Sequence, residues 1–202
     1  MVTVLSNSAQ VLRLVKERGI LRAIDLRERA IPRVYLRRLC DAGKLVRTAR
    51  GIYQLPDAPV TENHSLAEVA RAVPDGVICL LSALQLHGLT AALPHEVWVA
   101  IDTRAWKPKL EYPKLHIVRA NRKALEFGVE IRTIEGLKVR VTNPAKTVAD
   151  CFRYRSHLGL DVALEALRDY VRQFRGKTEP LMEAAKVMRV ANVMRPYLEA
   201  IL

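Results

Sequence analysis

The polar and apolar positions of this 202-residue chain change period several times along its length. "SNSAQVLRLVKERG" opens with capping candidates at Ser6 and Ser8. It sets Val11, Leu12 and Val15 on one helical stripe and stops at Gly19. "AIDLRERA", residues 23–30, predicts a second, short helix. "IPRVYLRRLCDAGKL" predicts a third. Pro32 suits its first position, where the missing N–H costs nothing. Leu36, Leu39 and Cys40 form its buried face, and Gly43 closes it. Arg33 and Arg37 lie one turn apart on another face, with Tyr35 and Arg38 alongside. "KLVRTARGIYQL" then reads as a hairpin, with Leu45, Ile52 and Tyr53 as strand residues and "TARG" as its turn.

"PDAPVTE" carries two prolines and no periodicity, so residues 57–63 read as a linker between a domain over 1–56 and a second over 64–202. The second part alternates helix and strand signals. "SLAEVARAV" predicts a helix, "DGVICLL" a buried strand, and "SALQLHGL" a helix capped by Ser82 and ended by Gly88. "EVWVAID" and "KLHIVRA" are strands, and "VEIRTIEGLKVRVTN" is a hairpin turning at Glu135-Gly136. Asn143 and Pro144 open a helix in "NPAKTVADCFRYRS". "LDVALEALRDYVRQF" has Leu164, Leu167, Tyr170, Val171 and Phe174 on one stripe. "PLMEAAKVMRVANVM" is a further helix that Pro196 should kink or end. The expected class is α/β (α+β).

Half the residues are hydrophobic but only 5% are aromatic, so the core should be aliphatic. The formal charge of +12 points to nucleic acid, a membrane surface or an acidic partner. Its placement sharpens that. Residues 1–60 hold 12 basic and 5 acidic side chains, and residues 22–50 hold nine and three. Cys40, Cys79 and Cys151 are widely spaced, with no CxxC pair, and read as reduced, buried thiols. No apolar run approaches the roughly 18 residues of a membrane span, and "MVTVLSNSAQ" lacks a signal-peptide pattern. A cytoplasmic protein without membrane partners is expected.

Three helices followed by a two-stranded hairpin are the plan of a winged helix-turn-helix. Its recognition helix enters the major groove. Arginine suits that position because its planar fork meets guanine O6 and N7 together. Base readout is therefore expected from Arg33, Arg37 and Arg38, with Tyr35 beside them. Phosphate contacts are expected from Arg47, Arg50 and Lys44. Two copies on an inverted repeat would suit a module this small.

The stretch "LRRLCDAGKLVRTARGIYQLP" resembles the winged-helix domain of the AbiEi family of type IV antitoxins. "LLSALQLHGLTAALPHEVWVAI" and "VTNPAKTVADCF" extend the resemblance into the second domain. It implies a transcriptional autoregulator that binds repeats in its own promoter. It also implies that the second domain helps counter a co-encoded nucleotidyltransferase toxin without forming a stable complex with it.

An alternative is a nucleic-acid-acting enzyme, a degenerate nuclease or transferase, delivered by the winged helix; another is a module that contacts a toxin or RNA directly. Little in the sequence favours catalysis. Ser82 and His87 are five apart on one predicted helix, which does not aim a base at a nucleophile, and no G-x-S-x-G surrounds the serine. Asp102, Glu111, Glu130 and Glu135 form no tight carboxylate cluster, and the five histidines are dispersed, so neither metal nor cofactor is expected. Met182, Met188 and Met194 read as core. Asp150 reads as a cap or a structural salt link.

Overall fold

The computed structural model describes residues 6–18, 20–49, 51–56 and 63–202. They divide into two units. One comprises the chain up to His64 together with Thr133–Leu137, and the other comprises Ser65–Arg132 with Lys138–Leu202. Residues 57–62 of the expected linker lie outside the described residues.

The N-terminal unit begins with α1, Asn7–Arg18. The Ser6 hydroxyl caps it by accepting from the Ala9 N–H at 3.3 Å. Its buried stripe is Val11, Leu14 and Val15 rather than Val11, Leu12 and Val15, and Leu12 packs at the edge. The expected second helix is reduced to a 3-10 turn, Arg27–Arg29, preceded by a strand, β1 (Ile20–Arg22), that the periodicity did not signal. The reason is local. The buried Asp25 carboxylate accepts from the Arg22 backbone N–H at 3.1 Å and pairs with its guanidinium at 2.7 Å. A side chain bound back to its own backbone competes with helix formation. Ala30 at φ 54° then ends the turn.

Helix α2, Val34–Asp41, follows, with Leu36 and Leu39 in the core. Pro32 stands before the helix, and Arg33 is its N-cap. Gly43 at φ 67° closes the far end. Its N–H reaches the Cys40 carbonyl, and that of Lys44 reaches the Leu39 carbonyl, both at 2.9 Å. This paired closure satisfies carbonyls the helix leaves open. It delivers the chain to β2 (Val46–Ala49), which pairs antiparallel with β3 (Ile52–Gln54). The sheet order is β1-β3-β2, with Tyr53 opposite both Leu21 and Arg47.

The second unit is a five-stranded mixed sheet, ordered β6-β5-β4-β8-β7, with helices packed on it. The chain runs through α3 (His64–Ala72), β4 (Val77–Ile78), α4 (Leu80–His87), β5 (Val97–Asp102), β6 (Leu115–Ala120), α5 (Arg122–Glu126), β7 (Val129–Ile134) and β8 (Leu137–Thr142). It ends with α6 (Pro144–Arg153), α7 (Arg155–Leu158), α8 (Leu160–Gln173), α9 (Glu179–Val187) and α10 (Ala191–Ile201). β5 runs parallel to β6 and antiparallel to β4, which is parallel to β8. Asn143 caps α6 by accepting from the Lys146 N–H at 2.8 Å, and Pro144 occupies its first turn.

Four expectations fail here, wholly or in part. "DGVICLL" gives only a two-residue strand, because Cys79, extended, stands at the N-cap position of α4, which begins at Leu80. Ser82 is therefore no cap; inside α4 its Oγ accepts from the Trp98 N–H at 2.9 Å. The last predicted helix is two. The chain breaks at Arg189, which has φ 60°, and Pro196 lies inside α10. Met194 and Leu198, both buried, anchor that helix on either side of the proline, and their packing outweighs the one lost hydrogen bond. On α8 the fully buried stripe is Ala163, Ala166, Leu167 and Tyr170, while Leu164, Val171 and Phe174 are half-buried.

Candidate nucleic-acid interface

The buried side of α2 is set by Leu36 and Leu39. At 3.6 residues per turn the opposite side carries Val34, Arg37, Arg38 and Asp41, all exposed. Arg33 sits at the N-cap on one edge and Tyr35, half-buried against the core, on the other. The Arg38 guanidinium lies 5.6 Å from the centre of the Tyr35 ring. That stacking orients the arginine and keeps its charge outward. Arg37 Nε is 3.9 Å from Asp41 Oδ2, and both side chains are largely in solvent. A pair that open holds the arginine only loosely.

Arg33, Tyr35, Arg37 and Arg38 thus converge on one helix and its cap. Lys44 is exposed just beyond the helix, and Arg47 is exposed on β2. Arg47 is near enough to α2 to pull down the Cys40 thiol, which burial and Asp41 push up. Arg50 lies outside the described residues. Cys40 is half-buried, whereas Cys79 and Cys151 are buried. Arg22 is committed to Asp25, which holds its guanidinium charged; it is a structural arginine.

Val34 and Asp41 were missed from the sequence. Val34 is 48% exposed in the middle of the arginine face, where an apolar side chain can meet a thymine methyl. Asp41 is one of the side-chain types that accept from cytosine N4. The signal was available, since residues 34, 37, 38 and 41 are neighbours at helical spacing.

In the second unit, Ser82 and His87 face different partners. His87 Nε2 lies 2.7 Å from the Thr142 carbonyl, to which it donates. Among the described residues no three His, Cys, Asp or Glu side chains come together as metal ligands. Among them, too, no helix is long and apolar enough to cross a membrane.

A helix, a short strand, a turn, a second helix packed on the first and an antiparallel hairpin form the arrangement of a winged helix-turn-helix domain, the class to which this N-terminal unit belongs. Residues 9–56, which span it, match the family model described as "Transcriptional regulator, AbiEi antitoxin". No curated protein matches the chain. Among solved structures, the chain is similar to the crystal structure of the RV2827C protein from Mycobacterium tuberculosis. The two are 13% identical with a TM-score of 0.53, over 97% of this chain and 82% of that one. At that identity the likeness concerns the fold.

Proposed function

We propose that this chain is a DNA-binding transcriptional autoregulator and the antitoxin of a type IV toxin–antitoxin system. Residues 1–56 form the DNA-binding domain, residues 57–63 the linker and residues 64–202 the antitoxin domain. One observation carries the reading. Arg37 and Arg38 stand exposed on α2 opposite Leu36 and Leu39, inside the segment that matches antitoxin regulators. In the major groove that face reads base edges, while Lys44, Arg47 and Arg50 hold phosphates. Two copies bind an inverted repeat in the chain's own promoter. The second domain acts without catalysis, in the cytoplasm, and counters a co-encoded nucleotidyltransferase toxin without a stable complex.

The test is binding to the chain's own upstream DNA against a scrambled duplex across a salt series. Each phosphate neutralised should steepen the fall of log affinity against log salt by about 0.9. A preference of ~10³ or more for the upstream DNA supports an operator-binding regulator. A steep slope without preference reduces the basic face to an electrostatic tether.

A further inference from the structure

The second unit contains a cavity of about 400 Å³, within the roughly 300–1,000 Å³ of small-molecule sites. The sheet, α5, α6 and the break between α9 and α10 all contribute walls. Its apolar lining includes Val77, Leu80, Val118 and Leu125. Its charged lining is one-sided. Arg119, Lys123, Arg153 and Arg189 are among its lining residues and are exposed, Lys146 is a buried one, and Asp150 is the one acid among them.

Two of the cations are held in place. Arg119 Nη1 donates to the Asp102 carbonyl at 2.9 Å, and Arg153 Nη1 donates to the Met188 carbonyl at 3.2 Å. Cations fixed by backbone carbonyls lose less freedom when they meet an anion. Asp150 is 4% exposed, and its Oδ2 receives Lys146 Nζ at 2.6 Å. Its Oδ1 is buried and has no hydrogen-bond partner among the described residues. Buried carboxylate oxygens are ordinarily satisfied, and the exceptions call for an explanation. Here the exception belongs to a side chain that lines a cavity whose other charged lining residues are all cations.

We infer that this cavity is a binding site for a small phosphorylated molecule that also carries a hydrogen-bond donor. The phosphate meets the rim of Arg119, Lys123, Arg153 and Arg189, where charge-assisted hydrogen bonds are strongest. A hydroxyl or amino group of the same molecule donates to Asp150 Oδ1. Duplex DNA does not enter a cavity of this size, so the site is separate from the arginine face of α2 and stands whether or not that face binds DNA.

The test is calorimetric titration of the full chain with AMP, GMP, CMP, UMP and ribose 5-phosphate, with the matching nucleosides and ribose as controls. At least one phosphorylated probe is expected to bind one to one, and its unphosphorylated counterpart about tenfold or more weaker. Asp150→Asn threatens the fold by stranding Lys146, so the exposed rim decides. Lys123→Glu and Arg153→Gln should each weaken binding about tenfold or more, with circular dichroism unchanged. Three outcomes overturn the inference: no phosphorylated probe binds at millimolar concentration, the nucleosides bind equally well, or binding survives both rim variants.

Discussion

Lys146 and Asp150 stand one turn apart on α6, with Nζ and Oδ2 2.6 Å apart and both side chains about 95% buried. Burial pushes the Asp150 carboxyl up, against the pull of Lys146 and Arg153. Two charges this deep stabilise little as a pair, but removing one strands the other. Asp150→Ala should therefore cost about 3–5 kcal/mol, read as a lower urea midpoint at unchanged slope. The double change Lys146→Met with Asp150→Leu should cost less than Asp150→Ala alone. A single-variant loss of under about 1 kcal/mol, as for an exposed pair, would contradict the buried ion pair.

On α2, base readout and phosphate contact predict different defects. Arg37→Ala should cost about 1–3 kcal/mol on the upstream DNA and far less on a scrambled duplex, flattening the preference between them. Arg47→Ala should weaken both duplexes about equally and reduce the salt slope by about 1. Fluorescence anisotropy with both duplexes at several salt concentrations separates the two. Equal effects of Arg37→Ala on both duplexes would move Arg37 from the base edges to the backbone.

Much of this was legible from local pattern, and the misses share a cause. Asn143-Pro144, Glu135-Gly136, Gly43 and Gly88 are terminators or turns whose chemistry acts within a few residues, and each lies where the sequence sets it. The arginine face of α2 follows from helical spacing alone. What periodicity could not give was set by contacts distant in sequence or by side chains folding back on the backbone. Asp25 turns a helical pattern into a strand and a 3-10 turn by binding Arg22. Ser82 has the residue type of a cap, yet its partner, the Trp98 N–H, comes from β5. Cys40 read as part of the buried face of α2 and is only half-buried, because Leu36 and Leu39 take the core-facing positions. The cavity around Asp150 is assembled from segments between residues 77 and 189, and no local motif marks it.

Gly43 joins the arginine helix to the hairpin at φ 67°, a left-handed conformation that costs other residues roughly 1–2 kcal/mol. A Cβ added there meets nothing within 4 Å, so backbone strain alone sets the cost. Gly43→Ala should destabilise the chain by about 1 kcal/mol and Gly43→Asn by less, since asparagine tolerates this conformation. Thermal unfolding of the two variants measures the difference. Equal losses for alanine and asparagine would place the cost elsewhere than in the left-handed turn.

His87 gives the fold an acid sensitivity. Burial lowers its pKa, more than the Thr142 carbonyl and Glu130 raise it, and Arg132 lowers it further. The folded imidazole therefore holds a proton less well than the unfolded one. Above the ordinary imidazole pKa of about 6.5 both states are neutral, and His87 adds no pH dependence. As the pH falls below that value the unfolded chain takes up the proton first. Stability then drops by at most about 1.4 kcal/mol per pH unit, until the folded imidazole protonates as well. His87→Gln keeps an N–H for the Thr142 carbonyl and cannot titrate in this range. From pH 7.5 to pH 5.5 the wild type should lose more unfolding free energy than His87→Gln. Parallel stability curves for the two proteins across that range would show that His87 is not the group that takes up the proton.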